Sequence, residues 1–426
     1  MKILVLSQYW YPENGVPQRR WSWLTDILQR TGHQIVVVAP PPHYRRPVSL
    51  KEWVSERGFA NSQKVETGRA GETIQRTGYF PSGRSLTRRI FNQGWTAACM
   101  VGTLVRRTGY LRTFNPDLII GTVPALPTAA VTYLASRVFD APYVIDLRDA
   151  WPALFRESQR WNAGTGPASL REKLLRRGPF QILLFATERM LEAALGRASG
   201  IITTSSVLEK YVASQYSVPT ATVRNVFPGP FLARRQSRVT SERTLNVLYA
   251  GTLGRAQKLD NALLAAKIAQ DRGVKIALKF VGDGAARETL KRRASELGVN
   301  LHLDHQLDPE SLDSYYEWAD TALVHLTEWN SLKAAVPSKA YELMSNRIHI
   351  SGVVSGETAT LISTLNAGDI VEPNDPDALA QLWVDLATDR CRLEVGESGR
   401  RWVKQQRDIE APAAILGLLQ QIKGAQ

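Results

Sequence analysis

The hydrophobic residues of this chain fall into short continuous runs, separated by longer stretches where they recur at helical spacing. The first run, Lys2-Ile3-Leu4-Val5-Leu6-Ser7, is too short for a helix. Such a run suits a strand buried on both faces in a parallel sheet. A loop with Pro12, Gly15 and Pro17 follows. Trp21, Leu24, Ile27 and Leu28 then repeat at helical spacing, with Gly32 placed to end the helix. Residues 34–39 form a second apolar run, stopped by Pro40-Pro41-Pro42. Strand, helix and strand in this order predict a βαβ unit and hence a parallel sheet.

The rhythm continues with strands predicted over 117–122, 142–147 and 200–205, and helices after the first and third. Residues 43–90 and 152–190 break it with Arg, Gly and aromatics, as insertions near a working face do. A boundary is expected near 228–244, where Pro228-Gly229-Pro230 leads into Arg234, Arg235, Arg238 and Arg243 with few apolar residues. A second α/β series starts there, with strands over 245–250, 276–281, 300–303, 321–326 and 348–353. The segment 400–422 reads as helical. The pattern predicts an α/β fold of two doubly wound halves in tandem.

Composition narrows the class. The 426 residues carry 44% hydrophobic and 22% charged side chains, which are globular values. The net charge is +13. It is uneven: residues 1–300 hold 43 basic and 21 acidic side chains, and residues 301–426 hold 10 and 19. A basic body points to a phosphate-bearing or anionic partner: nucleotide, membrane or nucleic acid. No zinc-finger, RNP-like or P-loop motif supports nucleic acid. Two cysteines, Cys99 and Cys391, make no disulfide scaffold and suit a reducing compartment. The opening residues do not read as a signal peptide, and no run is long enough for a spanning helix. No metal-ligating cluster and no GxSxG motif is evident.

In doubly wound sheets, ligands bind outside the carboxyl ends of the strands. The loop after the first strand offers Gly15 for close backbone approach, and Arg19 and Arg20 at a helix start. The loop after the first strand of the second half, Gly251-Thr252-Leu253-Gly254-Arg255-Ala256-Gln257-Lys258, frees backbone N–H groups near a helix start, with two cations for a diphosphate. An ordinary capped loop with surface cations fits the same residues. Gly282-Asp283-Gly284 is a tight turn, as suited to structure as to ligand contact. Pro337, Ser338 and Lys339 open a helix whose N–H groups can cradle phosphate, and Glu342 is placed to accept from ribose hydroxyls. Asp146-Leu147-Arg148-Asp149-Ala150-Trp151 closes a strand with two carboxylates, an Arg and a Trp. It reads either as a sugar site or as a strand-end ion pair. Residues 84–112 alternate Arg with Leu, Ile, Phe and Trp, as a helix lying on an anionic leaflet does, or a surface helix packed on its own domain.

Taken together, the Gly15 loop, Gly32-His33, Asn225 in "VRNVFP", Gly251 to Lys258, "FVGDG", "PSKAYELM" and Gly356-Glu357 resemble glycosyltransferase family 4, of GT-B fold. "DLRDAWP" is similar to the WbuB-like subgroup of bacterial O-antigen, capsule and exopolysaccharide transferases. The chain departs from the family pattern in three places, the first being a single Gly in the N-terminal loop where many members have two. Thr252 stands where an Arg is usual, and Ala334 where the first Glu of E-x7-E is usual, with Glu342 as the second.

The resemblance implies two Rossmann-like domains facing a cleft. They would be an acceptor-binding domain over 1–228 and, after a linker over 229–243, a nucleotide-sugar-binding domain over 244–399. A helix over 400–426 would return toward the first. It implies retaining, metal-independent transfer of a hexosyl or N-acetylaminosugar unit from a UDP- or GDP-linked donor, with no cofactor. The acceptor would be a glycan or a polyprenyl-diphosphate-linked glycan at the cytoplasmic face of the membrane. Lys258, Arg255 and Asp149 would stand at the reacting bond. Gly15, Gly251, Thr252, Gly254, Gly282, Asp283, Pro337, Ser338, Lys339 and Glu342 would hold the donor, and Arg19, Asp146, Arg148 and Trp151 the acceptor. The substitutions at Thr252 and Ala334 also fit a degenerate member that binds nucleotide or glycan without catalysis.

Overall fold

The computed structural model describes residues 1–13, 15–43, 48–59, 64–83, 86–151, 154, 179–229 and 244–425. The proposed linker is described only at Gly229, and most of the expected insertion at 152–190 lies outside the described residues. The described residues form two compact units. Residues up to 154, with 179–227 and 409–425, make unit 1, and the described residues of 228–408 make unit 2.

Unit 1 is built on an eight-stranded sheet in the order β3-β4-β2-β1-β5-β6-β7-β8. Its strands are β1 (Lys2–Leu6), β2 (Gln34–Ala39), β3 (Val65–Thr67), β4 (Thr73–Arg76), β5 (Leu118–Val123), β6 (Tyr143–Leu147), β7 (Gly200–Thr203) and β8 (Thr220–Thr222). All neighbours are parallel except β3, which runs against β4. The apolar runs read from the sequence are these central strands: Ile3 to Leu6, Val36 to Val38 and Leu118 to Ile120 are sealed from solvent. The helix after β1 is α1 (Val16–Arg30). Gly15 is its N-cap, and the Gly15 N–H donates to Gln18 Oε1 at 3.1 Å. Two further helices matter below, α2 (Leu50–Ser55) and α3 (Leu86–Val105).

The 43–90 region holds more order than an insertion. It contains β4, whose sequence Thr-Ile-Gln-Arg hides a central position. Arg76 is buried because its guanidinium donates to Glu66, to the Pro40 carbonyl and to the Tyr11 carbonyl. The segment predicted as one helix from 400 to 422 is two. These are residues Ser398–Gln405 in unit 2 and Ala411–Gly424 in unit 1, with one wide turn over Gln406–Glu410. The second helix packs on β7, β8 and α1, and a Cβ at Gly200 would touch Ile422 and Leu418 at 3.1 Å.

Unit 2 has a six-stranded parallel sheet in the order β11-β10-β9-β12-β13-β14. The strands are β9 (Thr244–Ala250), β10 (Lys275–Val281), β11 (Leu301–Asp304), β12 (Thr321–His325), β13 (His349–Val353) and β14 (Gly368–Val371). This is the doubly wound order 3-2-1-4-5-6, and it reverses between β9 and β12. The core on one face joins Leu263, Ala266, Phe280 and Trp383.

One buried ion pair ties unit 1 together. Arg20 on α1 donates to both oxygens of Asp146 at the end of β6, at 2.9 and 3.4 Å, and both side chains are 0% exposed. Trp21 Nε1 donates to the same carboxylate at 2.9 Å. Arg20 also reaches the Val223 carbonyl and Asn225 Oδ1. Removing one member of such a pair leaves a buried charge, at a cost of about 3–5 kcal/mol. Asp146→Asn should therefore lower the stability of unit 1 by about that much in urea unfolding. The double change Arg20→Met with Asp146→Leu should recover most of it. Equal loss in the single and double variants would contradict this reading.

Candidate functional site

The reversal in unit 2 puts a crevice at the carboxyl ends of β9 and β12, and the residues after these strands line it. After β9 the chain runs through Gly251–Gly254, a single turn over Arg255–Gln257, and Lys258. Helix α7 (Asp260–Asp271) then begins. The loop is held by backbone rather than by side chains. Gly251 N donates to Val281 O at 2.9 Å and Leu253 N to Asp283 O at 3.0 Å. A Cβ at Gly282 would lie 1.8 Å from Gly251 O, and one at Gly284 2.1 Å from Leu253 O. The two turns are glycine because their backbones touch.

This assigns Gly282 to positioning. Asp283 follows it in this. Its carboxylate accepts from the Gln306 N–H at 3.0 Å and pairs with His305 at 2.7 Å. Partial burial works the other way, but these two hold its pKa low. Both residues secure the loop from behind, and neither needs a ligand to explain it.

Thr252 is exposed, and its carbonyl accepts from Tyr249 OH. Arg255 is also exposed. Lys258 has φ +37°, a conformation that costs a non-glycine residue about 1–3 kcal/mol. Its exposed ammonium donates to Asn374 Oδ1 at 2.8 Å, and Asn374 in turn donates to Glu328. The β12 side meets this loop directly: Thr327 N donates to Ala256 O at 2.8 Å. His325, the last residue of β12, lies against Asn261 of α7 at 3.1 Å. Burial, aided by the charge of Lys258, pushes the His325 pKa down to about 3.

Helix α10 (Ser338–Ser345) follows β12, with Pro337 as its N-cap one position earlier than expected. Ser338 and Lys339 are the first residues of the helix. Glu342 Oε1 accepts from Tyr316 OH at 2.7 Å, and Oε2 from Lys339 at 3.0 Å. The carboxylate is therefore fixed in one orientation and keeps a second lone pair on each oxygen. Ala334 ends a single turn over Asn330–Ala334.

In unit 1 the candidate residues separate. Asp146 is not an acceptor-facing group. It is sealed and spent on Arg20 and Trp21, which the sequence pairing of neighbours could not reveal. Arg20, the neighbour of the chosen Arg19, is the structural one. Arg19 itself is half-buried over the Phe227 ring at 4.6 Å. Arg148 is the unexpected member. Its Nε and Nη1 are shielded from solvent and make no hydrogen bond among the described residues. Burial pulls its pKa down to about 10, with Asp146 and Asp149 opposing and Arg20 reinforcing. It stays charged at neutral pH. Asp149 is exposed, though surrounding protein still raises its carboxyl pKa against the pull of Arg148. The Trp151 backbone N–H donates to the Asp149 carbonyl at 2.7 Å. Among the described residues no three His, Cys, Asp or Glu side chains gather as metal ligands do.

Comparison with known proteins follows this geometry. Residues 232–408 match the family model of glycosyl transferases group 1. The chain is 25% identical over 400 residues to WcaI of Escherichia coli K12, a glycosyl transferase named for colanic acid biosynthesis. That match covers 89% of this chain and 90% of WcaI. The chain is a GT-B glycosyltransferase. Sucrose-phosphate synthase of Thermosynechococcus elongatus superposes on it with a TM-score of 0.69 at 17% identity, covering all of both chains. Anabaena HepE, solved with UDP-glucose, does so at 0.61 and 14% identity, over 100% of this chain and 99% of its own.

The transferase carries a pH signature at this site. The unfolded chain protonates histidine near the ordinary 6.5, whereas folded His325 resists until about 3. As pH falls below 6.5 the unfolded state takes up the proton first, so stability is lost at about 1.4 kcal/mol per pH unit. Urea unfolding between pH 7.5 and 5 should show this slope, and His325→Gln should flatten it. An unchanged slope in the variant would remove the assignment.

Proposed function

We propose that the transferase moves a sugar from a UDP- or GDP-linked donor to a glycan or lipid-linked acceptor in cell-surface polysaccharide biosynthesis. The carrying observation is the backbone-held loop from Gly251 to Lys258 at the reversal point of the unit 2 sheet. The group 1 match over 232–408 and the WcaI likeness support polysaccharide work, and the UDP-glucose complex of HepE supports the donor class. As the bond to the sugar breaks, negative charge builds on the diphosphate. Lys258, Arg255 and the N–H groups of Ser338 and Lys339 supply preorganised positive potential there without a metal ion. Glu342, held by Tyr316 and Lys339, offers its remaining lone pairs to the ribose hydroxyls. Transfer with retention of configuration belongs to the same reading.

On unit 1, Arg148 supports an anionic acceptor. A buried guanidinium with unmade hydrogen bonds gains most from a phosphate. A diphosphate-linked glycan has one. Helix α3 supports a site of work on the inner leaflet. Phe91 and Trp95 are exposed on it, beside exposed Arg88 and Arg89, and α2 adds exposed Leu50 and Val54. Among the described residues no helix is long and apolar enough to cross a membrane. Peripheral contact from the cytoplasmic side fits these residues. Arg84, part of the expected basic stretch, lies outside the described residues.

Thermal unfolding with UDP-, GDP- and dTDP-sugars should give a rise for one base. Lys258→Ala should cut turnover by about a hundredfold or more, as loss of one charge-stabilising donor does. Wild-type turnover in that variant rejects the phosphate role. Tight nucleotide binding with no transfer across a broad acceptor panel would instead identify a binding protein, the outcome Thr252 and Ala334 would then explain. Cosedimentation should capture the chain on phosphatidylglycerol vesicles and not on phosphatidylcholine. Phe91→Ser with Trp95→Ser should release it.

A further inference from the structure

Lys258 combines a fixed backbone with a long side chain. At φ +37° its N–H donates to the Arg255 carbonyl at 3.2 Å, and its carbonyl accepts from the Asn261 N–H at 3.1 Å. Asn261 is in turn buried against His325. These contacts hold the main chain and stop there. A flexible hydrocarbon stem separates the ammonium from its anchored backbone, and such a stem has wide rotamer freedom in water.

A third loop supplies the constraint on the side chain. β14 is the edge strand of the unit 2 sheet, beyond β12 and β13, yet the chain leaving it comes back to Lys258. Helix packing brings it there. The helix after β14, Pro376–Thr388, lies against α7, and its Trp383 joins Leu263 and Ala266 in one core. The loops that start the two helices are therefore neighbours. Asn374 stands just before this helix, half-buried, with φ +68°. Asparagine is one of the few residues that adopt this conformation readily. Its amide oxygen accepts from the Lys258 ammonium at 2.8 Å, and its amide nitrogen donates to Glu328 Oε2 at 3.0 Å. Glu328 follows β12, in the loop whose Thr327 N–H donates to the Ala256 carbonyl at 2.8 Å. Three loops meet at one amide.

The order of groups across that amide cannot be reversed. An ionised carboxylate only accepts and an ammonium only donates, so Glu328 takes the amide nitrogen and leaves the oxygen to Lys258. Turned over, the amide would set its oxygen on the carboxylate and its N–H on the ammonium. Glu328 therefore orients Asn374, and Asn374 orients Lys258. The middle residue is neutral, which matters for a cation that has to meet a diphosphate. A carboxylate in its place would neutralise the ammonium and compete with the phosphates for it. An amide fixes the same direction and leaves the positive charge whole. We propose that Asn374, turned by Glu328, is a positioning residue that holds the Lys258 ammonium ready for the donor diphosphate while leaving its charge uncompensated. This rests on the donor role given to Lys258 above, and it draws in the loops after β12 and β14. An ammonium has three N–H donors, so Lys258 can keep Asn374 while it binds phosphate.

The test compares a nucleoside diphosphate with its nucleoside, UDP with uridine and GDP with guanosine, by calorimetry on the full chain at low salt. The ratio of the two affinities isolates the diphosphate. Glycine suits φ +68°, so Asn374→Gly removes the amide without straining the backbone. It should cut the ratio by about fivefold, the worth of one such hydrogen bond, and leave nucleoside binding unchanged. Asn374→Asp keeps the shape and should cut the ratio at least as much; a wild-type ratio there contradicts the need for a neutral partner. Glu328→Gln, whose amide pairs with Asn374 in either orientation, should fall between wild type and Asn374→Gly. The decisive comparison is with Lys258→Ala. Added to that variant, Asn374→Gly should change nothing, because the amide acts through the lysine. Additive losses, equal weakening of nucleoside and diphosphate, or an unchanged ratio in Asn374→Gly overturn the proposal and leave Asn374 a loop-building residue. If neither diphosphate binds the wild-type chain, the donor role of the loop fails, and the positioning role with it.

Discussion

The Arg20–Asp146 pair is the constraint on which unit 1 depends. Three segments far apart in sequence converge on one carboxylate and one guanidinium: the start of α1, the end of β6, and the Val223–Asn225 stretch after β8. Neither charge can be solvated where it lies, so each holds the other and the backbone carbonyls beside it. The loop after β1 therefore leaves the sheet at a set angle, and Arg148, two residues beyond Asp146, begins from a fixed anchor. Asp146 already answers Arg20, so it leaves Arg148 undercompensated. One structural charge pair creates the unmet demand of the arginine two residues on.

Unit 2 reaches the same end by a different route. Its loop after β9 is shaped by direct backbone contact between Gly251 and Gly282 and between Leu253 and Gly284. No side chain intervenes at these two contacts, and Tyr249 on the Thr252 carbonyl and Asn374 on the Lys258 ammonium add to them. Lys258 in turn sits in an unfavourable backbone conformation that only a rigid surrounding maintains. Electrostatic stabilisation of a leaving group depends on dipoles that need not reorganise, and a loop pinned at this many points meets that need.

Much of the fold was legible from the chain alone. The central strands are apolar on both faces, and their edges were read to within a residue or two. What escaped were β3, β4, β8 and β14; in β4, Gln75 and Arg76 look exposed until their partners are known. The place of the Gly251–Lys258 loop, directly after β9, was readable from the apolar run before it. Asp146 was misread, since a carboxylate at a strand end looks the same whether it faces a ligand or a buried Arg over a hundred residues earlier. Asn374 went unnoticed because it follows β14 and meets Lys258 across more than a hundred residues of chain.

The helix over Ala411–Gly424 belongs to unit 1, although the chain has by then completed unit 2. Unit 1 is therefore discontinuous, and one face of β7 and of the edge strand β8 stays uncovered until this helix has been made. The first-made half cannot finish folding first. Its exposed sheet face must wait through the synthesis of a whole second domain, which makes this edge the natural place for a chaperone to hold the nascent chain.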